Sequence, residues 1–155
     1  MKFAVIQIRG TIHVAEKIID TLNMLRLTRK NSCTIVEGTP ENLGMIIKIK
    51  DLVTWGEINN ETFRMLIEKR GRLPANKQLT EEYLKEKTKM NFDLFTKSFM
   101  EGKIKLKEVP GLKPYFRLKP PTGGFDKNGI KTPYSLGGAL GYRKDDINNL
   151  IRRMI

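Results

Sequence analysis

Six glycines lie between Pro120 and Lys144, in the stretch PPTGGFDKNGIKTPYSLGGALGYRK, and phosphate chemistry would be sought there first. A mononucleotide-binding loop requires G-x-x-x-x-G-K-[ST] between a strand and a helix, so that the lysine reaches the terminal phosphates. Gly137 and Gly141 are one residue too close for this motif, and Tyr142-Arg143-Lys144 stands where Lys-[ST] is needed. The dinucleotide pattern G-x-G-x-x-G is missed as well. Few other residues bear chemistry. His13 is the only histidine and has no acidic or nucleophilic partner near it in sequence, so it reads as a surface or helix-end residue. Cys33 is the only cysteine and reads as a structural thiol; one cysteine and one histidine cannot form a zinc site of the usual kind. Asp145 and Asp146 open a helix, where their charge already complements the dipole without a magnesium ion. No catalytic residue, metal or cofactor is expected.

The same glycine-rich stretch suits a nucleic acid better. Glycines let a backbone approach a partner closely. Arg117, Lys119, Lys127, Lys131, Arg143 and Lys144 supply charge at short intervals, and Phe125, Tyr134 and Tyr142 offer flat faces for unpaired bases. The net charge is +12, and residues 103–155 hold 12 Lys/Arg against 4 Asp/Glu, so most of the excess lies in the last third of the chain. Such a surplus attracts polyphosphate through counterion release. With no hydrophobic period of its own, the arm across residues 119–143 is expected to be mobile alone and to fold on binding. No run of eighteen apolar residues suggests a membrane span, and MKFAVIQIRG reads as a strand, not a signal peptide. A lone cysteine fits a reducing cytosol.

These residues must be positioned by ordinary elements. Residues 2–9 and 32–37 read as strands, as does 51–57, by their branched and aromatic content. Thr11 starts a helix with a stripe at Ala15, Ile18, Leu22 and Leu25, and Thr39 caps a second, with Pro40 in its first turn and Met45, Ile46 and Ile49 facing inward. Residues 1–58 thus read β-α-β-α-β, with both helices covering one face of a small sheet of undetermined strand order. Residues 59–102 read as a helical extension of three short helices, the first capped by Asn60, the second by Thr80, the third carrying Phe92, Phe95 and Phe99 on one face. Residues 103–155 form a basic, glycine-rich arm with a terminal helix packing back on the body. Within it 103–109 alternates and can pair with 115–119 as a hairpin, and the terminal helix buries Ile147, Leu150, Ile151 and Met154.

Between Thr21 and Val53 the chain resembles the ribosomal large-subunit protein L-thirty family, called L-seven in eukaryotes. The matching positions are Thr21-Leu22, Leu25, Leu27, Arg29, Ser32 and Thr34, then Met45-Ile46, Ile49 and Leu52-Val53. TWGE, EKRG, GGFDK and GGALGYRKDDINNLIRRMI resemble the long archaeal and eukaryotic form, and the absence of a long basic N-terminal extension points to an archaeal member. The resemblance implies an α+β fold: a ferredoxin-like βαβαβ unit with an antiparallel three-stranded sheet, a helical insertion and an extended C-terminal arm plus terminal helix. It implies a cytoplasmic structural protein of the ribosome. Its partners would be large-subunit rRNA, near 5S rRNA, and neighbouring ribosomal proteins, with no membrane and no catalysis. A stand-alone RNA-binding regulator is the alternative. Three contact zones are expected. Arg26, Arg29 and Lys30 follow the first helix and engage phosphates; Trp55, beside Gly56, stacks on RNA or packs in the core; the arm threads along the RNA.

Overall fold

The computed structural model describes residues 1–155 and places a mixed five-stranded sheet between two layers of helices. The strands are β1 (Lys2–Gln7), β2 (Ser32–Glu37), β3 (Val53–Glu57), β4 (Phe116–Arg117) and β5 (Gly141–Tyr142), in the order β4-β2-β1-β3-β5. β1 lies at the centre, antiparallel to both β2 and β3. All six of its residues are buried, as the unbroken apolar run AVI and its neighbours require of a strand covered on both faces. Lys2 is accommodated there by Glu37, 3.4 Å away, and by the Phe99 ring beneath its ammonium.

The expected antiparallel three-stranded sheet is the centre of this larger one. β4 adds to β2 antiparallel at Ser32 and Cys33, and β5 adds to β3 parallel at Thr54 and Trp55. Two-residue strands are too short to show an alternating pattern, so they leave no periodic trace in the sequence. The hairpin expected between 103–109 and 115–119 does not form. Leu106–Glu108 is a 3-10 turn that buries Leu106, with Val109 buried after it, while Phe116 turns to β2 instead. Alternation alone did not distinguish a strand from a turn with two inward anchors.

On one face lie α1 (Glu16–Met24) and α2 (Pro40–Lys48), burying Leu22, Leu25, Ile46 and Ile49 against Val5 and Val53. α1 begins later than Thr11 suggests. Ile8 and Arg9 first donate to the Leu52 carbonyl, His13 takes a left-handed conformation, and Ala15 precedes the helix without a side-chain cap. Thr39 caps α2 by accepting from the Asn42 N–H, as expected. On the other face lie α3 (Asn60–Arg70), α5 (Phe92–Met100) and α6 (Asp146–Met154), with α4 (Glu81–Thr88) contributing Leu84. Asn59, one residue before the expected cap, accepts from the Thr62 N–H. Phe63 and Phe99 stack with ring centres 4.4 Å apart, and Ala4, Ile6 and Cys33 of the sheet join the same 22-residue core. No helix is long and apolar enough to cross a membrane.

Residues 119–143, expected to be mobile, are folded onto the body. Lys119 donates its N–H to the Met154 carbonyl and Thr122 to that of Arg153, which fastens the start of the arm to α6. Farther on, Ala139 donates to Gly129, Leu140 to Thr132, and Tyr134 to Leu140, so the arm doubles back on itself. Ala139 and Leu140 then close over Ile8, with Phe125 and Ile130 alongside. The arm has a small core of its own without a period, because each apolar side chain comes from a different turn.

Cys33 is wholly buried in the large core, and burial drives its thiol acidity far below the ordinary range. Native protein should therefore resist alkylation at mildly alkaline pH and react only through unfolding. Leu22→Ala removes a buried side chain from the opposite face and should cost about 2–5 kcal/mol, speeding Cys33 labelling in proportion to the lost stability. Rapid labelling of the parent protein that Leu22→Ala leaves unchanged would contradict this packing.

Candidate nucleic-acid interface

Four of the expected RNA-contacting cations meet at one end of the sheet. The turn before β2 carries Arg29 and Lys30 and is pinned by Asn31 donating to the Gln7 carbonyl at 2.7 Å and Ser32 to that of Arg29 at 3.1 Å. Arg117 lies opposite Ser32 in the β2–β4 ladder, and Leu118 donates to the Asn31 carbonyl at 2.9 Å. The ladder therefore sets Arg117 and Lys119 beside Arg29 and Lys30, although the two pairs are far apart in the chain. All four are exposed, and none makes an ion pair. Lys30 lies across Gly10, where an added Cβ would stand 3.1 Å from its Cε. Arg153, exposed at the end of α6, donates to the Gly124 carbonyl next to this cluster. It was missed in the sequence, although its place on the polar side of the α6 stripe was a usable signal. Uncompensated charge on a rigid backbone suits a polyanion.

The other expected contacts separate into two groups. Lys127, Lys131 and Lys144 are exposed, the last with a left-handed backbone, and remain open to a ligand. Arg143 is not. Its side chain is 2% exposed, and it donates to Thr54 Oγ1 at 2.8 Å, to the Ala139 carbonyl at 3.0 Å and to the Asp126 carboxylate. Its guanidinium also lies 4.5 Å from the centre of the Tyr134 ring. A cation that satisfied and buried holds the arm to β3, which corrects its assignment to RNA. Tyr134, on the other side of that cation, is half-buried and donates its hydroxyl to Asp146. Phe125, also expected to stack on bases, packs instead over Ile8 and Leu140. Arg26 is exposed but lines a groove on the outer edge of β2, with Lys105 and Lys107.

Trp55 is half-buried against the Val5–Val53 cluster, with its ring 6.2 Å from that of Tyr142. Tyr142 is 42% exposed and donates to Glu57 at 2.8 Å. At Gly56 a close backbone approach is made by this chain itself: a Cβ there would fall 2.1 Å from the Lys144 carbonyl oxygen. Gly138 likewise leaves room for the Thr132 carbonyl oxygen, 2.1 Å from where its Cβ would be. At both positions the missing side chain admits the folded arm, not a phosphate.

The sequence of residues 3–53 matches the family model described as ribosomal protein L30p/L7e. The chain is 47% identical over 155 residues, all of both proteins, to large ribosomal subunit protein uL30 of Methanococcus maripaludis (strain C5). It is 48% identical over 153 residues to that of Nanoarchaeum equitans, covering 99% of this chain and 98% of the other, and equally identical over 153 residues to that of Archaeoglobus fulgidus, covering 98% and 99%. The chain belongs to the ribosomal protein L30p/L7e family. The stretch matched to the L30p/L7e model spans β1 to the start of β3, with α1 and α2. Most of its resembling positions, Leu22, Leu25, Leu27, Ile46, Ile49, Leu52 and Val53, are buried between these helices and the sheet. Arg29 alone among them is charged, and it is exposed at the basic end. In this L30p/L7e chain the second cation pair, Arg117 of β4 and Lys119 just after it, lies outside the matched stretch.

Losing the Arg143 guanidinium strands Asp126 and exposes the arm's attachment. Arg143→Ala should cost about 3–5 kcal/mol at the arm and abolish amide protection of Ala139 and Leu140. Protection in β1 should persist; equal loss in both regions would show that the arm is not a separate lock. Hydrogen bonds to Asp146 and Glu57 raise the Tyr134 and Tyr142 hydroxyl pKa values above the ordinary one. Their contribution is therefore complete below about pH 10 and lost as pH rises through the higher native values. In an ultraviolet absorbance titration, Tyr134→Phe should remove one late-ionising tyrosine while keeping its ring under Arg143.

Proposed function

We propose that this chain is a structural constituent of the large ribosomal subunit in the cytoplasm, where it binds and stabilises large-subunit rRNA without catalysing a reaction. The observation that carries this reading is the cluster of Arg29, Lys30, Arg117 and Lys119, held by one β-ladder with no carboxylate to neutralise it. Backbone hydrogen bonds on both sides of these residues reduce the freedom lost on docking, so more of the phosphate attraction appears as affinity. Lys127, Lys131 and Lys144 extend the contact along the arm. Tyr142 and the exposed part of Trp55 supply a second zone where an unpaired base can stack. The full-length likeness to proteins named for the large ribosomal subunit supports the same reading. Its site there is near the 5S rRNA and against neighbouring ribosomal proteins.

Tagged protein sedimented through a sucrose gradient after a high-salt wash should remain with large subunits; departure into the soluble fractions would favour a free-standing RNA-binding regulator. In vitro, replacing Arg29, Lys30, Arg117 and Lys119 together by Ala should weaken binding to large-subunit RNA. The slope of log affinity against log salt should shrink by about 0.9 for each lost contact, or about 0.7 on single strands. Unchanged affinity and slope in a folded variant would remove the basic end from the interface.

A further inference from the structure

The outer edge of β2 is only half covered. β4 pairs with it only at Ser32 and Cys33; beyond them Pro114, which has no N–H, accepts at its carbonyl from the Thr34 hydroxyl at 3.5 Å and makes no backbone bond to Ile35. The ladder's alternation shows which groups are left over. Gly38 donates to Met1 across the β1 side, and the Asn31 carbonyl accepts from Leu118 across the β4 side. Even-numbered residues of β2 therefore face β1, while Cys33, Ile35 and Glu37 turn their peptide groups outward. The Glu37 carbonyl is taken by the Asn42 side chain at 2.9 Å. The Ile35 N–H and carbonyl and the Glu37 N–H are left facing a groove of about 390 Å³.

The walls of that groove belong to opposite layers of the fold. Met24 and Met45 stand on the α1–α2 side, and Phe99 and Leu106 on the α5 side, so a strand laid on the edge would meet apolar surface with both sets of its alternating side chains. Arg26, Lys105 and Lys107 form the rim and make no ion pair, while Glu37, the one acid in the lining, is engaged by Lys2. We propose that this groove binds an extended acidic segment of another protein, added as a further strand to the edge of β2. A second copy of this chain is disfavoured because it would bring the same basic rim and a +12 charge against its equal. An RNA would satisfy the rim and single peptide groups but not the alternating donor–acceptor row of a strand edge, and Phe99, the one aromatic ring in the lining, is only 5% exposed, too little for a base to stack on. The basic rim thus protects an open edge from self-pairing and admits an acidic strand.

The test uses the full chain and a soluble peptide of alternating valine and glutamate, beside a polyglutamate of equal charge and an oligouridylate. The alternating peptide should slow exchange of the Ile35 and Glu37 amides and leave those at Arg29 and Lys30 unchanged. Ile35→Pro removes an outward N–H that β1 does not use, together with part of the Ile35 packing on the large core, and should weaken the peptide by about tenfold while keeping the β1 pairing. Should that variant unfold, Arg26→Glu, Lys105→Glu and Lys107→Glu together provide a second reading: they should abolish binding of the acidic peptide and permit a valine–lysine one. Equal binding of polyglutamate, protection of Ile35 and Glu37 by oligouridylate, or no protection by the alternating peptide would each overturn the proposal. Ile35→Pro changes no charge and leaves the basic end untouched, so its RNA affinity should stay within about twofold, and failure of the strand proposal is read separately from failure of the rRNA reading.

Discussion

β1 must be covered on both faces and along both edges. Its residues Phe3 to Ile6 have almost no exposed surface, and each peptide group has to find a partner away from water. Two helices on one face and three on the other meet the apolar requirement, while β2 and β3 meet the polar one. The crossover from β2 through α2 to β3 straddles β1, which is why β2 and β3 run in the same direction with β1 between them. Everything outward of these strands is then a matter of finishing their edges. β4 and β5 do so with two residues each, and each brings a functional segment to the sheet as it does.

The Arg143 guanidinium shows how one such segment is held. A buried ion pair gives little net stability against an apolar alternative of the same shape, but a guanidinium left without partners is expensive. The folded arm brings Asp126, the Ala139 carbonyl and the Tyr134 ring to this guanidinium beside Thr54 of β3. Arg143 therefore selects that conformation, and the small core of Ile8, Ala139 and Leu140 supplies the apolar driving force. The lysines on the outside of the arm are presented by a fixed backbone instead of a mobile tail.

Charge is distributed by the same device. Seven cations are paired with carboxylates, most of them on exposed helical surfaces where such pairs contribute little. The basic end, by contrast, holds Arg29, Lys30, Arg117 and Lys119 without partners, and the groove on the β2 edge holds Arg26, Lys105 and Lys107 likewise. Mutual repulsion within each group opposes folding slightly and would be relieved by a polyanion at one and, as proposed, an acidic strand at the other.

Local rules in the sequence were enough for the central elements. Thr39 with Pro40, and Thr80 before two acids, are capping chemistry that acts within one turn, and the stripes of α2, α5 and α6 reported their buried faces without reference to the rest of the chain. The family resemblance between Thr21 and Val53 was legible for a related reason: those positions pack two helices on one sheet, and that requirement leaves a periodic trace. The excess charge of the last third was equally plain. What composition could not separate was Arg143 from Lys144, adjacent basic residues of which one is buried under the arm and the other exposed. Burial depends on Thr54 and Asp126, which are remote in sequence and converge only when β5 docks on β3. Leu106 lost its expected strand for a like reason, since Phe116 keeps a strand but pairs with β2 and not with residues 103–109. Tertiary structure alone decided these matters, because partner choice at an edge or in a buried charge site is a property of surfaces assembled from distant segments.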